Sequence, residues 1–211
     1  IITIEPAKSV NTTLEVVGGL QIDSGFSSPY FVTNQEKLTS ELDKPYVLVT
    51  TRKISSLKEI LNVLQAVSDA EGSLLIVADE IEGEALQTLL INKVKGNLMS
   101  CGVRAPSYGD NRINILSDIA LMTGATMIDA SSPLKLENIK LEHLGRCSKI
   151  IATKTTTTII GREDEESSLI KEKVQERIAE LRTAIDTAAI DDLQKAQLKK
   201  RLSKLAGGVA V

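Results

Sequence analysis

Hydrophobic residues along this chain keep changing period, and the changes mark out its elements. The β-branched run at 46–50 leads into a stretch, 56–70, whose apolar residues recur every three or four positions, the period of a helix lying on a core. The uninterrupted run LLIVA at 74–78 is the pattern of a strand covered on both faces. A second helical stretch spans 83–95, a short strand falls near 98–103, a third helix near 113–122 and a further strand near 125–128. Strands and helices alternating with short links predict a parallel sheet with helices packed against it. Gly72, Gly96 and Gly124 stand where those helices should stop, the usual place for a glycine. The residues up to Phe31 and the Thr-rich run 153–160 add β-like segments outside this alternation, enough for a second sheet.

The last fifty residues follow one period only. After the polar link GREDEESS at 161–168, Ile170, Val174, Ile178, Leu181 and Ile185 recur at spacings of four, four, three and four. That is a single helical stripe. A turn near 189–192 leads to a second stripe, Leu198, Leu202 and Leu205. The two predict a helical hairpin closed on its own apolar seam, too short to require a partner chain.

Two of the helices carry more apolar surface than one packing face needs. On a wheel at about 100° per residue, Ile60, Val63 and Val67 make one stripe of the 56–70 helix, and Leu57, Leu61 and Leu64 an adjacent one. The arc covers roughly 160°, against the ~100° that faces a core. In the 83–95 helix Ala85 and Leu89 lie on one side, while Leu86, Leu90, Ile91 and Val94 spread round the other with Lys93 between. As consecutive crossovers of one sheet these helices lie side by side. Their spare stripes are either covered, by the N-terminal segment or the C-terminal hairpin, or left as a groove. An exposed apolar groove marks a binding site.

The aromatic residues sharpen the choice. Of five in the chain, Phe26, Tyr30 and Phe31 fall together in QIDSGFSSPYF at 21–31. Gly25, Ser27, Ser28 and Pro29 break any regular period, so this is a loop or extended segment. Its rings either plug the edge of a core or form an adhesive surface.

Composition removes several other readings. With 42% hydrophobic residues, 25% charged residues and a net charge of −3, the chain has the make-up of a globular domain and lacks the clustered cations that nucleic acid demands. Nothing approaches the ~18–20 apolar residues of a membrane span. The opening IITIEPAK lacks the features of a signal peptide and reads as continuing from a longer chain. Cys101 and Cys147, far apart in sequence, are expected as buried, reduced thiols. No GxxxxGK[ST] or GxGxxG phosphate cradle occurs. Asp79, Glu80, Glu82 and Glu84 crowd a strand end as a possible metal site, but acidic residues there equally favour a helix N-terminus. His143 is the single histidine. A rival of a different class remains open, an α/β enzyme domain holding a small molecule at the C-terminal edge of its sheet.

Several separated strings resemble the group I chaperonins, the ring-forming class of bacteria, mitochondria and chloroplasts. They are GLQIDSGFSSPYF from Gly19, DEIEGEAL from Asp79, RAPSYGD from Arg104, LSDIALMTGA from Leu116, LGRCSKI from Leu144, TTTTII from Thr155 and RLSKLAGGVAV from Arg201. What matches is the apical domain with the stretch leading back toward the intermediate domain. The resemblance implies an α/β apical-domain fold: a mostly parallel sheet with flanking helices, additional β strands and a C-terminal helical hairpin. It divides the chain into a lead-in strand region (1–18), a substrate-binding core (19–160), the hairpin (161–206) and the start of the connection to the intermediate domain (207–211).

By the same resemblance the chain is a fragment of a molecular chaperone, capturing non-native polypeptides and the mobile loop of a co-chaperonin on an apolar groove. The family's contact positions fall on Phe26, Tyr30 and Phe31 in the segment, Leu61 and Leu64 in the first helix, and Leu86, Leu90 and Ile91 in the second. Asn92 matches a polar groove position suited to a bound backbone. The fragment is expected to be a monomer with no cofactor and no catalysis. ATP and Mg²⁺ belong to the missing equatorial domain of a parent that hydrolyses ATP in heptameric rings. The compartment implied is the cytoplasm of a bacterium, or the mitochondrial matrix or plastid stroma of a eukaryote. The chain departs from the family at Phe26, commonly Tyr, at Ser24, where a basic residue is usual, and at Ser107, Tyr108, Asn111 and Ile113. By the resemblance, those four are where its client range or co-chaperonin pairing would differ from the common pattern.

Overall fold

A computed structural model of the protein describes residues 15–187 and 189–211. Its strands are β1 (Val16–Val17), β2 (Gly19–Ile22), β3 (Ser40–Asp43), β4 (Tyr46–Val49), β5 (Lys53–Ile54) and β6 (Leu74–Ala78). They continue with β7 (Glu80–Ile81), β8 (Ser100–Arg104), β9 (Gly145–Arg146), β10 (Lys149–Ala152), β11 (Thr157–Ile160) and β12 (Val209–Ala210). The helices are α1 (Leu57–Asp69), α2 (Gly83–Val94), α3 (Gly109–Thr123), α4 (Ser167–Ile185) and α5 (Asp192–Gly207). The chain is mixed α/β. The lead-in strand region expected at 1–18 falls mostly outside the described residues.

One sheet runs β8-β6-β4-β9. Its first three strands are parallel, in the register Tyr46↔Leu74↔Ser100, and β9 is antiparallel to β4. The crossovers β4–α1–β6 and β6–α2–β8 proceed in one direction, so right-handedness puts α1 and α2 on the same face. The chain then returns across the sheet through α3, which packs on β4 and β9 from the opposite side. Covered on both faces, β6 is buried along its whole length, as the run LLIVA predicts. The second sheet, β2-β11-β10-β3, is wholly antiparallel. "Mostly parallel" therefore describes the first sheet and the short β5-β7 pair, whereas the second sheet and the β1-β12 pair are antiparallel.

The hairpin forms as its two stripes require. Ile170, Val174, Ile178 and Leu181 of α4 are buried, with Leu205 of α5. Both helices pack on α3, and one charged residue joins all three. Asp118 of α3, 2% exposed, accepts from Arg177 Nη1 of α4 at 2.6 Å and from Arg201 Nε and Nη2 of α5 at 2.7 and 2.8 Å. A carboxylate so enclosed is tolerable only with such partners.

Three local expectations fail, each for a physical reason. The strand expected at 125–128 shrinks to a single parallel bridge, Thr50↔Ile128. The Thr50 hydroxyl donates to the Ile128 carbonyl at 2.7 Å, and the Asp129 carboxylate then turns the chain by accepting from Ser131 N, leaving the rest of that β4 edge to β9. The third helix starts at Gly109, four residues before its apolar period shows. Gly124 caps α3 with φ 78°, but after α1 the left-handed residue is Glu71 (φ 55°). Gly72 instead makes room for Tyr46, whose ring would lie 2.7 Å from a Cβ there. Both thiols are buried as expected, and burial pushes the pKa of Cys101 and of Cys147 up to about 12.

Candidate functional site

Short-range hydrogen bonds fix the two helices that bear the spare stripes. At the start of α1, Glu59 Oε1 accepts from the backbone N–H groups of Ser56 (2.9 Å) and Ser55 (3.0 Å), satisfying donors that no helical carbonyl reaches. Glu84 Oε1 of α2 accepts from Leu57 N, the first residue of α1, at 2.7 Å. Ala85 N donates to Ser55 O at 3.1 Å, and Gly83 takes φ 58° to turn the chain from β7 into α2. The two helix starts are thus tied to each other as well as to the sheet.

Above this scaffold several large apolar side chains meet water. Leu61 of α1 is 51% exposed, and Ile91 and Val94 of α2 are 50% and 69% exposed. Leu86 and Leu90 are half-buried, their inner surfaces packed on the core. The inner stripes, Ile60, Val63 and Val67 of α1 with Ala85 and Leu89 of α2, are sealed. Of the two outcomes the wide arcs allow, α2 shows a wet apolar face opposite its buried one, and α1 presents Leu61 to water beside its buried stripe. Val94, named in the spare stripe, extends the wet face beyond the contact positions that the resemblance implies. Cavities of 300 to 600 Å³ lie off the outer faces of α1 and α2, one of them bordered by Phe26.

Leu64 departs from expectation. It is only 8% exposed and belongs to the core, because it stands about 40° round the helix from Ile60 and shares the buried stripe's environment. On α1's flank the 3-10 turn Leu136–Asn138 also packs, and the Asn62 side chain donates to the Glu137 carbonyl. This neighbour gave no periodic signal in the sequence.

The aromatic segment splits between both readings offered for it. Gly25 lies against the carbonyl oxygen of Thr153, where a side chain would collide, and Phe26 N donates to that oxygen at 3.0 Å. Ser27 N and Oγ both reach Gly102 O, at 2.8 and 3.0 Å. The 3-10 turn Pro29–Phe31 follows, its Ser28 hydroxyl accepting from Tyr30 N at 3.2 Å. Within that turn Tyr30 is 68% exposed and Phe31 fully buried. Phe31 is thus no contact residue: its ring fits over Gly102, where a Cβ would stand 3.3 Å from Cε2. Phe26 is half-buried, bridged to Val103. The turn packs on α2, and Lys93 Nζ donates to Val32 O at 2.6 Å. The turn that carries Tyr30 accordingly sits beside α2, the helix of Leu86, Leu90 and Ile91.

Asn92 is engaged within its own helix. Its Nδ2 donates to Thr88 O at 2.8 Å and its Oδ1 accepts from Asn97 Nδ2 at 3.3 Å, while its carbonyl accepts from Asn97 N. It secures the end of α2, and each amide atom keeps one further hydrogen-bonding valence.

At the C-terminal edge of the parallel sheet the acidic residues have structural partners. Asp79 pairs with Arg112, Glu80 faces Arg104 at 3.7 Å, and Glu82 faces Lys53 at 3.8 Å. His143 Nδ1 accepts from Lys140 N at 2.9 Å. Among the described residues no group of three or more His, Cys, Asp or Glu side chains is placed to hold a metal ion, and no helix is long and apolar enough to cross a membrane. No protein-family model matches the chain.

Proposed function

We propose that this chain is the substrate-capturing apical domain of a group I chaperonin, and that the outer face of α1 and α2, with Tyr30 and Phe26 beside it, holds non-native polypeptides. The observation that carries the reading is the half-exposure of Leu61 and Ile91 on helices whose starts are locked together by Glu84. Rigid, wet aliphatic ridges cost solvation and give nothing to the fold. Unfolded chains have no common sequence but all expose apolar side chains, so their receptor needs area more than directional contacts. At about 25 cal/mol per Å², covering a few hundred Å² supplies several kcal/mol before ordering costs.

In the proposed parent, a ring repeats this face and raises avidity without new contacts. The co-chaperonin's mobile loop competes for the same ridges, and ATP with Mg²⁺ acts in another domain. The family resemblance of the sequence strings supports this assignment to an apical domain, and so does the placement of six of its eight apolar contact positions at least partly in water. Suppression of aggregation of a chemically denatured model protein tests it. The 211-residue chain should hold back light scattering in proportion to its concentration, and Leu61→Glu with Ile91→Glu should abolish this while leaving the circular dichroism spectrum intact. A double variant that folds and still protects the client would sink the assignment.

A further inference from the structure

A cavity of about 300 Å³ lies between α3, α5 and β2, away from the α1–α2 face. Its floor is apolar: Leu20 and Ile22 of β2 and Pro106 are buried, and Ile115 of α3 is half-buried. Three successive cations of α5, Lys200, Arg201 and Lys204, line its wall, and among the described residues two carboxylates balance them. Asp23 is shared by Lys200 Nζ (2.7 Å) and Lys204 Nζ (3.3 Å). Asp118 is shared by Arg201 and by Arg177 behind it. Each carboxylate thus faces two cations, and the cavity retains positive charge beside an oily floor. Ser107, Asn111 and Gln197 add uncharged polar groups to its lining.

We infer that this cavity is a binding site for a small amphipathic carboxylate, whose apolar tail lies on Leu20, Ile22 and Ile115 and whose anionic head meets Lys204 and Lys200. Charge alone would draw any anion, and the floor alone any oil. Together they select a molecule that is both. A ligand there would bridge α5 to β2 and brace the hairpin against the antiparallel sheet. The inference does not depend on what the α1–α2 face binds.

Octanoate is the probe, titrated into the ¹⁵N-labelled 211-residue chain and followed by amide chemical shifts. Saturable shifts are expected at Ser107, Asn111 and Gln197, and hexanoate should bind roughly fifteenfold more weakly, at about fourfold for each of the two methylenes lost. Octanol should bind more weakly than octanoate, and Lys200→Met with Lys204→Met should remove that difference. Ile115→Phe and Gln197→Trp narrow the cavity from two different helices, so that one informative variant survives if the other misfolds. Either folded variant should lose octanoate binding. The inference is overturned if octanoate gives no saturable shift below its micellar concentration, or if its shifts cluster at Leu61 and Ile91 instead. It also fails if octanol binds equally well, or if a folded cavity-filling variant binds unchanged.

Discussion

Glu84 caps a helix other than its own: from α2 its Oε1 accepts the backbone N–H of Leu57, the first residue of α1, at 2.7 Å. The contact fixes the relative position of the two helices that bear the exposed ridges. Glu84→Ala is expected to cost about 1 kcal/mol, the usual value of a lost cap, read as a lower urea midpoint. It should also speed hydrogen exchange at the Leu57 amide, and client protection should fall more than stability does.

Neighbouring residues of one turn should behave oppositely. Phe31 is fully buried, so Phe31→Ala is expected to cost about 3–5 kcal/mol in chemical denaturation. Tyr30 stands largely in water. Tyr30→Ala should shift stability by no more than about 0.5 kcal/mol yet weaken binding of an apolar peptide measured by fluorescence anisotropy. Equal destabilisation by both would place Tyr30 in the core and remove it from the site.

The Asp118 cluster predicts a large effect far from that face. Asp118→Asn leaves Arg177 and Arg201 without their common carboxylate, and removal of one partner from a buried ionic group costs roughly 3–5 kcal/mol. Denaturation curves should show this loss, with α4 and α5 the first helices to gain hydrogen exchange.

Acid should weaken the domain through identifiable carboxylates. A hydrogen bond from Lys200, reinforced by Lys204, lowers the Asp23 pKa against the opposing effect of partial burial. Partial burial alone would raise the Glu59 pKa, but the donors at Ser55 and Ser56 outweigh it and hold it below its ordinary value. A depressed pKa in the folded state stabilises at pH above the unfolded-chain value, about 4, and that stabilisation disappears as pH falls through the folded value. The urea midpoint is therefore expected to drop as pH falls below about 4. Glu59→Gln should flatten the drop, and Asp23→Asn should do so less, since solvent screens the exposed Lys200 pair.

Much of this arrangement was legible in the residues. Strong periods at 56–70 and 83–95 located α1 and α2 to within a residue or two, but the width of their apolar arcs left burial and exposure both open, and Leu64 takes the first outcome while Leu61 and Ile91 take the second. A wheel gives angles, however, and not neighbours. Leu64 sits close enough to Ile60 to be drawn into the core, and Phe31 is hidden only because Gly102, far along the chain, leaves room for a ring. The Asp118–Arg177–Arg201 cluster escaped for the same reason: its members belong to three helices and follow no local spacing. Strand β9 is two residues long, too short to carry any period.

The burial of both thiols has a practical consequence. With pKa values pushed up to about 12 and no access for a reagent, neither Cys101 nor Cys147 competes for a maleimide at neutral pH. A cysteine placed at Leu61, Ile91 or Val94 would then be the one nucleophilic sulfur available, so a fluorophore or spin label could be planted on the outer ridges of the wild-type background without first removing anything.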